Sequence, residues 1–490
     1  MLPGRPGGAR RRRACALAAG RTALAWRHME RCAHGFWLAD AGPVTARPVL
    51  TGRERADVLV VGGGYLGLWT AWQLAEAGAD VALVEAGVCG HGPSGRNGGF
   101  VHGLWDRLAE LTELFGAAAA MDVARAAATT VAGIAGWCEA QGVDAHVVRA
   151  PMLEVAAAAA QDGAWEPAVA ACRAAGAGDQ VAEAGPEAVQ AICASPTLRR
   201  GALWRDAATV HPARLALGLR ARLIERGVRV HEHSRVVALD DRPGGVRARI
   251  AGGGEVAAGA AVLAVNHASA AVRPLRGALS VASSHVVATE PVPDVLERLG
   301  WTGGESIADC RTMLHYFRTT RDGRVVFGWG GGRMGMGARR RALLDVDPGV
   351  QDATVDHLHA LLPALAGARI THAWGGPIDV SPVHLPWFGT LRSTHYGFGF
   401  TGNGVGPAHL GGRILADLAR GADTALTRLP IVGGLPPRRF PPEPLRFAGG
   451  SVIRAALVRA DDAASAGRRT DPVTAAVAAL PRLLGLHLPR

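Results

Sequence analysis

Residues 57–85 read DVLVVGGGYLGLWTAWQLAEAGADVALVE, and this stretch decides the fold. Asp57 to Val61 is a short apolar run of strand type, Gly62 to Gly67 is a turn, and Leu68 to Ala77 carries helical periodicity ended by Gly78. Val81 to Glu85 then reads as a second buried strand, which makes the unit a strand, helix, strand crossover of parallel type. The turn is a G-x-G-x-x-G element with the right neighbours on both sides. Gly62 allows the tight turn, Gly64 lets the backbone approach a pyrophosphate, and Gly67 lets helix and strand pack closely. Free amides at Tyr65 and Leu66, with the positive end of the helix dipole, suit phosphates. Glu85, 18 residues past Gly67, is placed to accept two ribose hydroxyls. An acid there disfavours a 2′-phosphate, which argues against NADP.

This fingerprint does not separate FAD from NAD, and the choice rests on the next loop. Ser94, Gly95, Arg96, Asn97, Gly98 and Gly99 form a stretch rich in donors and free of bulky side chains, able to lie along a flavin or its phosphates. Here the sequence resembles the D-amino-acid oxidase superfamily of FAD enzymes, and within it the γ-glutamylputrescine oxidase-like branch, where a similar S-G-R-N-G-G element follows the dinucleotide fold. The likeness extends through Val236, Ala261 to Asn266 (AVLAVN, including Ala264), Tyr316-x-Arg318 with Asp322-Gly323-Arg324, and Gly399 to Gly404 (GFTGNG), over about residues 50–428. The resemblance implies FAD as cofactor and a Val236 backbone presented to the adenine. The closing motif also has a physical reading: Gly402 and Gly404 let backbone approach an aromatic ring, and Asn403 or Gly404 starts a helix through Val405 to about Leu418. The positive end of that helix would face the pyrimidine part of the flavin and stabilise the anion formed on reduction.

The fold class expected is α/β: a Rossmann-like FAD-binding domain interleaved with a mixed or antiparallel-sheet substrate domain, plus a helical C-terminal tail. The expected division is a basic N-terminal arm at 1–49, disordered at its start, FAD-binding segments at 50–104, 204–273 and 371–428, substrate segments at 105–203 and 274–370, and a Pro-rich basic tail at 429–490. The glycine-rich stretch Gly328 to Gly337 reads as a mobile loop, not a second nucleotide site.

On the substrate side, family members that oxidise α-amino acids place an arginine in a G-x-R-P type segment shortly before the final motif, where it grips the carboxylate. Here the corresponding stretch reads Trp374-Gly-Gly-Pro-Ile-Asp379, with no arginine, which favours an amine lacking an adjacent carboxylate and leaves Asp379 as an ammonium partner or a turn aspartate. Period-two alternation puts Tyr316 and Arg318 on one face of a strand and His315 and Phe317 on the other. Alternation leaves open which face looks into the cleft; the resemblance to the family's substrate-domain strand favours Tyr316 and Arg318 as the catalytic-site pair, with His315 also a candidate, and Arg311, His102 and Trp329 behind them.

Composition removes several classes. The formal charge is +11, but seven arginines and no acid fall in residues 1–28, and nine arginines against four acids in 429–490, so the body is near neutral and offers no basic stripe for nucleic acid. No lysine occurs, which rules out Schiff-base chemistry, a P-loop lysine and an ammonium beside the flavin. Reoxidation by oxygen would need another cation such as Arg96, or another acceptor. The seven scattered cysteines include no C-x-x-C pair, so neither a disulfide framework nor a metal site is expected, and a cytoplasmic setting fits. Cys89 and His91 lie near enough to the loop for covalent attachment to be conceivable. Arg10 to Gly20 has the outline of an export signal, but Arg21 interrupts its apolar run, with Met29 as a second possible start. No stretch is apolar enough for a membrane span. The leading expectation is an FAD-dependent amine oxidoreductase transferring hydride from carbon to flavin N5, the imine then hydrolysing. A hydroxy-acid, polyol or amino-acid dehydrogenase on the same scaffold, and a non-catalytic FAD-binding redox sensor, are the alternatives.

Overall fold

The computed structural model describes residues 29–339 and 342–486, so the arginine-rich start, with its expected disorder and its export-like run, lies outside the described residues. Among those described, two large sheets carry the molecule. The first is centred on Arg53–Val61, which runs parallel to Val81–Val84 on one side and to Glu255–Leu263 on the other. Arg229–His231 continues the parallel set beyond Val81–Val84, and Thr394–Phe398 continues it beyond Glu255–Leu263. Trp387–Leu391 and Val432–Gly433 close that edge, while the hairpin Val236–Arg242 with Gly245–Ile250 pairs onto Glu255–Leu263. Val58 to Val61 and Val81 to Val84 are buried without alternation, as parallel strands covered by helices require. The covering helices are Tyr65–Glu76, Pro212–Glu225 and Val405–Ala419. A Cβ on Gly412 would stand 2.5 Å from Trp69 Cβ, so the last helix packs backbone-close on the first.

The second sheet is mixed and mostly antiparallel. Its order is Glu30–Arg31, Ile370–Val380, Ser280–Thr289, Val325–Trp329, His315–Thr319, Ser306–Asp309, Met152–Val155, Gly201–Trp204, Val181–Ala184, with Met334–Gly335 added to Ser280–Thr289. One face is sealed: Val287, Phe317 and Phe327 share a core with Val355 and Leu358 of helix Pro348–Leu361. Tyr316 and Arg318 therefore lie on the other face. The α/β architecture with two interleaved sheets is the one the sequence implied, because each strand carries its own burial period.

Three details differ from expectation. The arm is built in from residue 30 onward, for Glu30–Arg31 pairs with His372 and Ala373, and helix Gly35–Ala41 buries Phe36, Trp37 and Leu38. The boundary placed at 371 falls inside strand Ile370–Val380 of the second sheet. Gly328 to Gly337 is packed rather than loose: Met334–Gly335 pairs with Val281 and Ala282, and a Cβ on Gly332 would lie 2.1 Å from the Ser283 carbonyl oxygen. The C-terminal tail is helical, as expected, with helices Leu445–Ser465 and Pro472–Leu483. It is docked on the second sheet, since Arg446 donates to the carbonyls of Arg276 and Leu279, and Arg311 meets Asp462 at 2.5 Å. No helix among the described residues is long and apolar enough to cross a membrane.

Candidate cofactor and substrate site

The glycine turn is built by close backbone approach. Gly62 sits at φ 110°, where a Cβ would be 2.3 Å from the Ala264 carbonyl oxygen, and a Cβ on Gly67 would be 1.9 Å from the Gly62 carbonyl oxygen. Ala264 thus belongs to the floor of the turn, held by its amide on the Val61 carbonyl at 2.9 Å. The helix that follows has Gly64 as N-cap, with no side chain of that residue to satisfy its first amides; Ser94 Oγ accepts from the Tyr65 amide at 2.9 Å. Tyr65 anchors its own hydroxyl on the Pro212 carbonyl, and Leu66 packs into the core. Glu85 receives the Gly63 amide on one carboxylate oxygen and the Gly87 amide on the other, both at 2.7 Å, and each oxygen keeps a further lone pair for a hydroxyl. The chain then returns beside it, since Ser234 N–H donates to the Glu85 carbonyl and leads directly to half-buried Val236.

The Ser94–Gly99 loop is knitted internally. Asn97 donates to the Pro93 and Ser94 carbonyls and accepts the Gly99 amide at 2.7 Å, and a Cβ on Gly95 would strike the Gly90 carbonyl oxygen. Arg96 is buried, and its Nη1 reaches the carbonyls of Ala33 and Gly375 and, at 2.8 Å, Asp345 Oδ1. It is a pin holding arm, loop and second sheet together, paired with Asp345. Cys89 lies fully buried under Gly63, and burial followed by Glu232 and Glu85 pushes its thiol well up, so it does not offer a thiolate for covalent attachment.

The second sheet contributes Tyr316, whose ring lies against Gly98, 2.8 Å from where a Cβ would stand, and edge-on to Phe100. Its hydroxyl bonds Ser284 Oγ at 2.7 Å, and burial raises its pKa to about 12. Arg318 shares the face but is 3% exposed, with Nη1 on the Val210 and Gly99 carbonyls, Nε on the Thr319 carbonyl, and its guanidinium over the Trp37 ring. Burial pushes its pKa down to about 9, which leaves it charged at neutral pH. Backbone carbonyls engage its Nε and Nη1, which gives Arg318 a structural role where the sequence suggested a substrate contact. His315 is corrected too. Alternation turns it to the sealed face, where Nδ1 meets Asp309 at 2.6 Å and Nε2 meets His357 at 2.9 Å, away from Gly98. Trp329 stands with that group, edge-on to His357, and Arg311 is held by Asp461 and Asp462.

The closing motif turns sharply, with φ 82° at Gly399, 52° at Thr401 and 90° at Gly402, before Gly404 caps helix Val405–Ala419. Asn403 lies 3.5 Å from His102 Nδ1, and a Cβ on Gly406 would be 2.5 Å from the His102 carbonyl oxygen, so the helix head sits on the strand that follows the Ser94–Gly99 loop. A Cβ on Gly402 would meet nothing within 4 Å, and one on Gly404 only Phe400, at 3.8 Å. Two open glycine faces at one helix head, together with the N-cap glycine turn of the first helix, fit a long ligand with a phosphate centre and a flat ring. Asp379 is no ammonium partner: it is 1% exposed and accepts from Asn266 Nδ2 at 3.0 Å and the Gly399 amide at 2.6 Å.

Sequence reading missed one pair that shapes this site. Glu232, wholly buried, accepts from both Arg220 Nε and Nη2 at 2.8 Å, from the Cys89 amide and from the Arg47 amide. The pair straps segment 45–47 and the Cys89 loop to helix Pro212–Glu225. The signal was present, for Arg220 falls on the apolar stripe of Leu215, Ala216, Leu219 and Leu223. Among the described residues no group of three or more His, Cys, Asp or Glu is placed to hold a metal.

A parallel dinucleotide-binding sheet abutting a mixed sheet that brings an aromatic face to the glycine loop defines a flavin-dependent oxidoreductase. The chain belongs to the FAD dependent oxidoreductase (DAO) family, whose model matches residues 57–418, and FAD is its cofactor. It is 30% identical over 433 residues to the gamma-glutamylputrescine oxidoreductase of Escherichia coli, covering 86% of this chain and 94% of that one. It is 29% identical over 425 residues to a probable oxidoreductase, OrdL, of Rhizobium meliloti, covering 84% and 91%. Among solved structures, glycine oxidase from Geobacillus kaustophilus superposes with a TM-score of 0.64 at 21% identity, over 79% of this chain and 99% of that one, a likeness of fold.

Proposed function

We propose that this flavoenzyme oxidises the C–N bond of a small amine that carries no carboxylate on the reacting carbon. The observation that carries the reading is the commitment of the arginines: Arg96, Arg311 and Arg318 are each held by carbonyl or carboxylate oxygens, and Trp374 to Asp379 supplies no cation. An α-carboxylate would enter without a bidentate partner from this set. The name of the 30% identical relative, gamma-glutamylputrescine oxidoreductase, supports the same substrate class.

In this reading Gly62, Gly64, Tyr65, Leu66 and Gly67 cradle the pyrophosphate, Glu85 takes the ribose, and Val236 lies along the adenine. Ser94, Gly95, Arg96, Asn97, Gly98 and Gly99 form the wall along the flavin, with Ala264 beneath the turn and Gly402, Asn403, Gly404 and Val405 at the pyrimidine edge. Bound there, FAD would supply the two-electron acceptor for hydride leaving the carbon attached to nitrogen, the nitrogen's proton passing to solvent, and the imine so formed would hydrolyse in water. The protein orients the amine and excludes water; Tyr316, on the Gly98 loop with a hydroxyl held protonated, is a donor and an aromatic wall. The test is anaerobic bleaching of the FAD-loaded protein by panels of amines, α-amino acids and hydroxy acids. Fast bleaching by γ-glutamylputrescine and related amines is expected, and bleaching confined to hydroxy acids or α-amino acids overturns the reading.

A further inference from the structure

Three strained or tight backbone points surround one buried carboxylate. Asn266, which ends the segment AVLAVN in the first sheet's domain, sits at φ 48°, and Thr401 of the closing motif sits at φ 52°; both are non-glycine residues in the left-handed region, which a structure keeps only where neighbours over-determine it. Gly399 sits at φ 82° with a Cβ position 2.7 Å from Ser381. All three touch Asp379. Its Oδ1 accepts from Asn266 Nδ2, its Oδ2 accepts from the Gly399 amide, and its carbonyl accepts from the Thr401 amide at 2.9 Å. The next residue continues the seam, with Val380 bridged to Phe400 and the Ser381 amide on Thr401 Oγ1. Asp379 itself belongs to the second sheet, in strand Ile370–Val380, paired along its length with Ser280–Thr289.

We propose that Asp379 is a positioning residue: it fixes the Gly399–Gly404 turn, and with it the helix head offered to the flavin, to the sheet that carries Tyr316. The inference rests on the assignment of Gly402 and Gly404 to the flavin made above. Through one side chain the substrate sheet and the cofactor domain share a register, so the distance between ring and substrate wall is set by this carboxylate and not by the loop alone. The chemistry of the contact is specific. It needs one acceptor toward Gly399 and one acceptor toward an amide donor at 266, and a carboxylate supplies both. Exchanging the two side chains preserves the pattern: in the double variant Asn266→Asp, Asp379→Asn, the amide at 379 accepts from Gly399 and donates to the carboxylate at 266.

The experiment measures FAD affinity and the visible circular dichroism of the bound flavin in four variants of the full chain. Asp379→Ala is expected to weaken FAD binding about 10-fold or more and to alter the flavin spectrum. Asp379→Asn, which sets two amide donors face to face unless Asn266 turns over, falls between Ala and the natural protein. The exchanged pair recovers affinity to within about 3-fold, a coupling that independent sites do not show. Gly404→Phe is the control for the cofactor assignment, because its backbone accepts a side chain while its open face does not stay open. Normal FAD binding and spectrum in Asp379→Ala, or an exchanged pair as defective as the worse single variant, overturns the proposal. A raised KM in Asp379→Asn with FAD binding untouched makes Asp379 a substrate contact instead. Normal FAD binding in Gly404→Phe shows that the flavin assignment itself has failed. Should Asp379→Ala not fold, the Asn variant and the exchanged pair carry the decision.

Discussion

Glu85 Oε2 accepts the Gly63 amide at 2.7 Å, so the acid that ends the second parallel strand is bonded into the glycine turn that opens the first helix. The carboxylate shapes the turn, and in the proposed reading it also takes the ribose. Glu85→Gln keeps the size but replaces one acceptor oxygen with a donor that faces either Gly63 or Gly87. FAD affinity is expected to fall about 10- to 100-fold, the loss of one charge-assisted hydrogen bond, measured by titrating FAD into deflavinated protein. An unchanged affinity would separate Glu85 from the cofactor.

Arg96 and Asp345 form a buried pair, with side chains 2% and 7% exposed. Removing Arg96 takes a charge-assisted hydrogen bond from a carboxylate that is itself buried. Arg96→Ala is therefore expected to lower stability by about 3–5 kcal/mol, read as a shift of the urea midpoint at constant slope. A loss of oxygen reactivity without loss of stability would restore Arg96 as a cation acting on the flavin.

Arg318 and Tyr316 share a strand face but are expected to separate in kinetics. Arg318→Gln gives up contacts to the Val210 and Gly99 carbonyls and should cost about 2–4 kcal/mol of stability while KM for the amine stays within about 3-fold of the natural protein. Tyr316→Phe should fold normally and lower kcat/KM about 10-fold. Its pH profile should run parallel to the natural one up to pH 10, because the hydroxyl, raised to about 12 by burial, does not ionise in that range. A limb of the profile that vanishes in Tyr316→Phe would assign it as an ionising group.

Asp379 titrates where stability can report it. Burial lifts its pKa to about 7, against the hydrogen bond from Gly399, while in the unfolded chain it stays near the ordinary aspartate value of 3.8. The folded state thus binds the proton more tightly, so this group's favourable contribution is complete below about pH 4 and is lost as pH rises toward and through 7. The natural protein should lose stability over that window relative to Asp379→Asn, by an amount no larger than about 4 kcal/mol. Parallel stability curves for the two proteins would show that Asp379 is ionised throughout.

What the sequence revealed was what local backbone geometry controls. Gly62, Gly67 and Gly399 announce themselves because no side chain fits there, and the buried strands around them carry continuous apolar runs. Alternation separated Tyr316 from His315, and the family resemblance chose between the two faces. The same alternation already placed His315 on the opposite face, but its partners, Asp309 six residues before and His357 on a helix 42 residues on, are set by tertiary packing. Arg318 was misread for a related reason. Its strand face was right, but the carbonyls that hold it come from Gly99 and Val210, segments that only the folded chain brings there. Asp379 sits in the stretch read for a substrate contact, and the φ 48° of Asn266 that explains its role has no sequence signature beyond an asparagine after a strand.

The most direct test of the account is the flavin content of the purified protein and the affinity of its deflavinated form for FAD. About one FAD per chain, bound tightly, weakened in Glu85→Gln and lost in Gly62→Val, is expected from a turn in which a Cβ at Gly62 would stand 2.3 Å from a carbonyl oxygen. A colourless protein that takes up no added FAD would contradict it.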